Sequence, residues 1–401
     1  MAIRRTLVGA GALAATLTLA IGGNALAAQT PADTNPGVDT TFAAVGSDTA
    51  DDVMQGLSSA LTDATGPIIS SYRAVPPAGA TTAITTKTAA NCANVTRPNG
   101  SGAGVNALSQ SIQGLGGLTG CFDIARSSNN SAPTQATPAG ALTYLPYAVD
   151  SVSYATIAGT SIVKNANLAL LKTIFTKNGV PGTADCGGIS KWSPLIPQAG
   201  SGTRNFWAGL MGVSSANRGT IEETRAATVA ADPTQWGSCV RDRIGQVGTD
   251  QTTGTPIQEH DGTVLTTAGS IVPFSTAQWI SQGAQVIGDK RGGRSVLNAI
   301  DFDDAGGNNS VSPFVLQQNF KGITTANTAA RGIYNVVETA RITPGNAKFD
   351  QRLSTLLVGP TSTLCADTNA KNLIQRFGFD LPPLTAPVGV ETCGSNAITR
   401  P

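Results

Sequence analysis

The chain has 401 residues, of which 40% are hydrophobic, and its 26 lysines and arginines nearly balance its 25 aspartates and glutamates. This balance argues against a nucleic acid or an anionic membrane as the partner, because both call for a basic surface. The chain is longer than one hydrophobic core usually serves, so we expect two lobes.

Residues 1–27 have the pattern of a secretory signal peptide. Arg4 and Arg5 precede an apolar run from Leu7 to Ile21, and Ala-Leu-Ala ends the segment at Ala27. A membrane anchor is the alternative, but the run is short and is flanked by glycines. We therefore expect a secreted, extracytoplasmic protein whose net charge falls from +1 to about −1 on cleavage. The arginine pair weakly favours twin-arginine export, and no cysteine near the cleavage point offers a lipid anchor.

The segment after the signal peptide changes character twice. Residues 28–40 are polar and rich in proline and aspartate, which predicts a disordered leader. Beyond it, short apolar runs such as TFAAV and SVSYATI alternate with stretches of helical periodicity. This alternation predicts an α/β architecture. The threonine- and asparagine-rich stretch 81–100 is expected to form a long surface loop.

The cysteines predict a disulfide framework. They are even in number and belong to a chain that is expected to enter an oxidising compartment. They also fall into three couples of sequence neighbours, so we predict sequential pairing. The predicted bridges are Cys92–Cys121, Cys186–Cys239 and Cys365–Cys393. A metal site is the alternative, but the chain has no Cys-x-x-Cys motif and a single histidine, so we expect no metal and no cofactor.

Three short loops rich in glycine and hydroxyl groups each precede an apolar stripe with helical spacing. They are GSDT at 46–49, GSGAG at 100–104 and GSGT at 200–203. A helix start has unpaired backbone N–H groups and a partial positive charge, so it can bind an anion, and serine or threonine adds a neutral donor. Ordinary N-capping is the alternative for each loop. The three loops together predict an oxyanion site if they converge in space.

Several motifs, taken in order, resemble those of one known family. They are VGSDT, NGSGAGV, FDIARSS, LALLKTIFTKN with ISKW, AGSGTRNFW, GIYNVV and GFDLPPLTAPVGVETCGS. In these motifs the chain resembles the phosphate-binding subunit of bacterial phosphate ABC transporters. The resemblance implies an α/β, two-lobe periplasmic-binding-protein type II fold with a double crossover hinge. It also implies that phosphate is captured between the lobes for uptake, with a membrane ABC permease as a partner of a monomeric protein.

The resemblance also sets the expected limits of the lobes. Lobe one is expected to comprise residues 41–143 and 275–401, and lobe two residues 144–274. The crossings are expected near LTYLPYAVD and GSIVPFST, where apolar strands contain a proline.

Family binding residues transfer only where the motifs match. The first loop's hydroxyl falls on Thr49 with Ser47 beside it, the second helix-start serine falls on Ser101, and the Ser-Gly-Thr motif falls on 201–203. The full predicted ligand-binding set is Ser47, Asp48, Thr49, Ser101, Arg126, Ser127, Ser128, Ser201, Gly202, Thr203 and Arg204.

Two positions depart from the family pattern. Ser128 stands where the family has an aspartate that accepts the proton of hydrogen phosphate, and Pro197 stands where the family usually has an arginine. These departures leave selectivity between phosphate and sulfate open. Arg126 and Arg204 are the candidate replacements for the missing cation, and Asp48 is the candidate acceptor.

Two other functions remain open at this point. A secreted binder of a different anion, or of a surface partner, would show the same loops without phosphate selectivity. A serine-dependent hydrolase is disfavoured, because the chain lacks a Gly-x-Ser-x-Gly motif and His260 lies in a loop-like context expected at the surface. We therefore predict that the protein is not an enzyme.

Overall fold

The computed structural model describes residues 33–77, 79–134, 141–158, 166–176, 193–214, 216, 218, 234–237, 239–245, 254–300, 329–383 and 391–401. The predicted signal peptide and residues 28–32 of the predicted leader lie outside these residues. Residues 33–40 of the leader are described, and Asp33 forms an ion pair with Arg97 there. No helix in this described part of the chain combines the length and the hydropathy that a bilayer crossing requires.

The described elements alternate between strands and helices. The strands are β1 Phe42–Gly46, β2 Thr62–Asp63, β3 Gly66–Pro67, β4 Ile69–Ser71, β5 Ala83–Ile84, β6 Val95–Thr96, β7 Ile124–Ser127, β8 Leu142–Ile157, β9 Ser193–Pro194, β10 Arg243–Ile244, β11 Thr255–Pro256, β12 Ser270–Ser275, β13 Ser295–Asn298, β14 Ala330–Glu338 and β15 Ile398–Arg400. The α-helices are α1 Asp51–Ala60, α2 Ser101–Gln113, α3 Leu168–Phe175, α4 Gly202–Met211, α5 Thr276–Gly283, α6 Thr339–Ile342, α7 Gln351–Leu357, α8 Thr363–Ala366 and α9 Thr368–Arg376.

The principal sheet has the strand order β4-β1-β7-β14-β8-β12-β9, and β13 and β15 also pair with β8. The first half of β8 pairs with β14 as far as Ser151, and the second half pairs with β12 from Val152 onward. The long strand β8 is therefore common to both halves of the sheet.

Each half of the sheet has apolar side chains on both faces. In β1, Phe42 and Ala44 pack on one side against α1, α7 and α9, while Ala43 and Val45 pack on the other side with α2. This alternation is the two-residue period of a strand that is buried on both faces. The other half has its own pair of cores, one with α3 and α4 and the other with Phe274 of β12. The chain thus has the predicted α/β fold of two lobes.

After β12, the chain does not pass from lobe two to lobe one in a single step. After β12, Ala277 of α5 joins the core of α1, whereas Trp279 of the same helix joins a core of lobe two. Strand β13 then pairs with the second half of β8. Residues 275–300 therefore contact both lobes, and the exact lobe limits stay a prediction.

Two predicted disulfides are confirmed. Cys92 and Cys121 are bonded with their Cα atoms 5.2 Å apart, and Cys365 and Cys393 are bonded with theirs 5.8 Å apart. Cys239 is also disulfide-bonded, and its predicted partner Cys186 lies outside the described residues. The stretch 81–100 is more ordered than expected, because β5 and β6 form an antiparallel ribbon in it.

Candidate functional site

The starts of helices α2 and α4 meet directly across the two lobes. The backbone N–H of Gly102 donates to the carbonyl of Gly200 over 3.1 Å. A Cβ atom on Gly100 would lie 2.5 Å from that same carbonyl oxygen, so only glycine permits this approach. Gly46, which begins the GSDT loop, also lies close to α2, since its Cβ would lie 3.0 Å from the Cα of Gly104. The three loops therefore converge.

The convergence brings four predicted hydroxyl groups together. The hydroxyl oxygens of Thr49 and Thr203 are 3.4 Å apart, and those of Ser101 and Ser128 are 3.2 Å apart. All four residues are fully buried. Neither Thr49 nor Ser101 caps its helix, because the N-cap residues of α1 and α2 are Ala50 and Gly100. N-capping does explain Ser201, whose hydroxyl accepts from the N–H of Arg204.

A carboxylate that was not predicted lies among these donors. One oxygen of Glu259 accepts hydrogen bonds from the hydroxyls of Thr49 and Thr203, over 2.8 and 2.7 Å. The other oxygen accepts from the N–H of Gly202 over 3.0 Å. An anionic pair of oxygens is therefore held at the start of α4, where the helix dipole favours negative charge.

The cation of this cluster is Arg331, which was also not predicted. Arg331 lies at the start of β14 opposite Asp150 of β8, and its guanidinium donates to Asp150 over 2.8 and 3.0 Å. The same group donates to the hydroxyls of Thr49, Thr203 and Ser128 over 3.1 to 3.3 Å. Because both members of the ion pair are buried, the pair fixes the guanidinium beneath the hydroxyls.

His260 completes the cluster and is buried, so the expectation of a surface histidine was wrong. Its Nε2 lies 2.9 Å from the Thr49 hydroxyl and 3.2 Å from the Glu259 carboxylate, and its Nδ1 accepts from the N–H of Ser275. An Nδ1 that accepts assigns the ring hydrogen to Nε2. His260 therefore serves as a donor to the cluster.

Glu259 is ionised in this environment. Burial by itself raises the pKa of Glu259, but hydrogen bonds from His260 and Ser201 and the charge of Arg331 outweigh it and lower the pKa to about 2. Asp48 shows the opposite behaviour. Its pKa is raised well above the usual value by burial and by the neighbouring carboxylates of Glu259 and Asp51.

Several predicted site residues have partners elsewhere. The guanidinium of Arg126 donates to Ser71 and Tyr72, and that of Arg204 donates to Asp242 and to backbone carbonyls. The hydroxyl of Ser127 donates to the carbonyl of Asn129, within its own turn. The hydroxyl of Ser47 is buried without a hydrogen-bond partner in the described part of the chain. Both predicted cations thus have partners outside the hydroxyl cluster.

The sequence contains only weak signals for the site residues that were not predicted. Glu259 and His260 are adjacent in QEHDGT, which contains the single histidine of the chain. Arg331 is a charged residue near the start of a strand, ARGIYNVVE, that is buried up to its last residue. Neither signal identifies a partner, because the groups they contact are far away in sequence. No group of histidine, cysteine or acidic side chains that could hold a metal ion occurs among the described residues.

Comparisons with known proteins give low similarity throughout. No family model matches the chain, and no curated protein matches it. An ABC-type phosphate transport receptor from Vibrio cholerae is 15% identical, with 85% of this chain and 100% of that chain covered and a TM-score of 0.45. A putative phosphate ABC transporter substrate-binding protein from Clostridium perfringens, solved with bound phosphate, is 11% identical, with 86% and 100% covered and a TM-score of 0.46. These similarities are too low to carry an argument about function.

Proposed function

We propose that this protein is an extracytoplasmic solute-binding protein that captures phosphate or a similar oxyanion between its two lobes. The observation that carries the proposal is the set of donors around Glu259. The N–H of Gly202 and the hydroxyls of Thr49 and Thr203 already bind an anionic group, and Arg331 lies next to them. A site that holds a carboxylate offers the donors that a tetrahedral oxyanion needs.

The number of donors is sufficient for a useful affinity. Micromolar binding needs about −8 kcal/mol, and a hydrogen bond to a charged group contributes about 1.5–3 kcal/mol before the entropy of capture is counted. The hydroxyls of Ser101 and Ser128 lie in the same cluster and add two more donors. The confirmed disulfides are typical of an oxidising compartment, which supports an extracytoplasmic location. A membrane ABC permease would be the partner that receives the solute.

Hydrolysis is the competing function that one contact favours, since Thr49 lies 2.9 Å from His260. A general base must present an unprotonated nitrogen to the nucleophile. Here Nδ1 accepts from a backbone N–H and Nε2, which faces Thr49, carries the hydrogen. This arrangement speaks against a Thr49 nucleophile and in favour of binding.

Calorimetric titration tests the proposal. The wild-type protein is titrated with phosphate, sulfate, arsenate and an organic phosphate, and we expect one site with phosphate as the preferred ligand. Ser101→Ala should weaken binding about 10- to 150-fold, because it removes one donor to a charged group. Thr343→Ala, at an exposed position, is the control and should leave the affinity unchanged. No heat and no melting shift with any of the four anions would refute the proposed function.

A further inference from the structure

The carboxylate of Glu259 uses the very donors on which the proposed function depends. A threonine hydroxyl has one hydrogen, and both Thr49 and Thr203 donate theirs to the same oxygen of Glu259. The N–H of Gly202 is likewise used by the other oxygen. An external oxyanion and Glu259 therefore cannot both be bound by these three groups.

Arg331 fixes the direction of these hydroxyl hydrogens. Its Nη2 donates to the oxygen of Thr49 over 3.2 Å and to that of Thr203 over 3.1 Å. Each hydroxyl oxygen thus accepts from the guanidinium on one side and turns its hydrogen toward Glu259 on the other. The cluster is arranged to hold an anion at one position, and Glu259 is at that position.

The backbone around Glu259 is anchored to both lobes. The amide of Gln282 donates to the carbonyl of His260 over 2.9 Å, and His260 has a φ of 58°. The neighbouring Gln258 accepts a hydrogen bond from Asn99, in the loop that leads to α2. Because Thr49 and Glu259 belong to segments on opposite sides of the contact between α2 and α4, their hydrogen bond holds the two lobes together.

We propose that Glu259 is an internal ligand that occupies the anion site in this closed form, so that an external oxyanion binds only after displacing it. The proposal rests on the proposed function, since it concerns the same donors. If Glu259 leaves the site in only a fraction of the molecules, the apparent affinity for an external anion is reduced in proportion to that fraction. Glu259 thereby sets how strongly an external anion is bound and links capture to the opening of the lobes.

Titration of charge-deleted variants with inorganic phosphate is the first test. Glu259→Ala vacates the position and should bind phosphate at least about tenfold more tightly than the wild type, because no internal carboxylate competes. Glu259→Gln, which keeps the shape but loses the charge, should lie between the two. Glu338→Gln is the matched control, since Glu338 pairs with the exposed Lys348 at the far end of β14, and it should bind like the wild type. Phosphate affinity in Glu259→Ala equal to or weaker than that of the wild type would overturn the inference.

A second measurement separates this inference from the proposed function. If neither the wild type nor Glu259→Ala binds phosphate, the proposed function fails, and thermal melting in sodium formate then decides the inference. Formate supplies the missing carboxylate, so it should raise the melting temperature of Glu259→Ala, relative to sodium chloride at the same ionic strength, and leave Glu338→Gln unchanged. No formate-specific shift in Glu259→Ala would show that the position is not an anion site.

Discussion

The ion pair between Arg331 and Asp150 offers the sharpest test of how the site is built. Arg331→Met removes both hydrogen bonds to one oxygen of Asp150 and leaves that carboxylate with the N–H of Ala277 at 3.0 Å. The Asp150 side chain has no exposed surface, so water cannot replace the guanidinium. Breaking a buried pair in this way costs about 3–5 kcal/mol of unfolding free energy.

Two further variants show whether the cost comes from the stranded charge. Asp150→Asn combined with Arg331→Met removes both charges, so the double variant should be more stable than Arg331→Met alone. Lys348→Met breaks a pair whose lysine side chain is 58% exposed, and it should cost less than about 1 kcal/mol.

Urea unfolding followed by tryptophan fluorescence measures these free energies, with far-ultraviolet circular dichroism as the check that both lobes unfold together. The reasoning fails if Arg331→Met costs no more than Lys348→Met. Asp150→Asn is measured alone as well, and the reasoning also fails if the double variant is as unstable as the sum of Arg331→Met and Asp150→Asn.

Three other results are expected. The pKa of Glu259 is lowered from 4.5 to about 2, so its ionised form stabilises the fold above a pH of about 4.5, and this contribution is lost as the pH falls toward about 2. The urea midpoint of Glu259→Gln should therefore fall less steeply over this pH window than that of the wild type. Parallel curves for the two proteins would contradict the assignment. Replacing both Cys365 and Cys393, which are separated by 28 residues, with serine should cost about 3–4 kcal/mol, and an unchanged urea midpoint would argue against a stabilising bridge. Gly100→Ala would place a Cβ 2.5 Å from the backbone carbonyl oxygen of Gly200 and should separate the two lobes, giving a larger radius of gyration in X-ray scattering, whereas Gly288→Ala, which meets nothing within 4 Å, should not; equal radii for the two variants would count against a close interlobe contact.

The sequence by itself determined the features that depend on neighbouring residues. The alternation of strands and helices gave the α/β class, and the neighbouring cysteines gave the two bridges that are seen, Cys92–Cys121 and Cys365–Cys393. The glycine and hydroxyl loops were recognised as special because glycine permits close backbone approach and serine or threonine adds a donor. Their donors are local properties, so the chain between residues 46 and 203 was enough to find them.

Only the tertiary structure decided which charges join those loops. Arg126 was the predicted cation because it lies next to the motif, but the alternation of β7 and its pairing with β1 place its guanidinium on Ser71 and Tyr72. Arg331 reaches the hydroxyls because β14 lies between β7 and β8 in the sheet. Strand order and register depend on long-range pairing, which no local pattern encodes. For the same reason the chain's own Glu259, far from Thr49 in sequence, was not foreseen at the anion position.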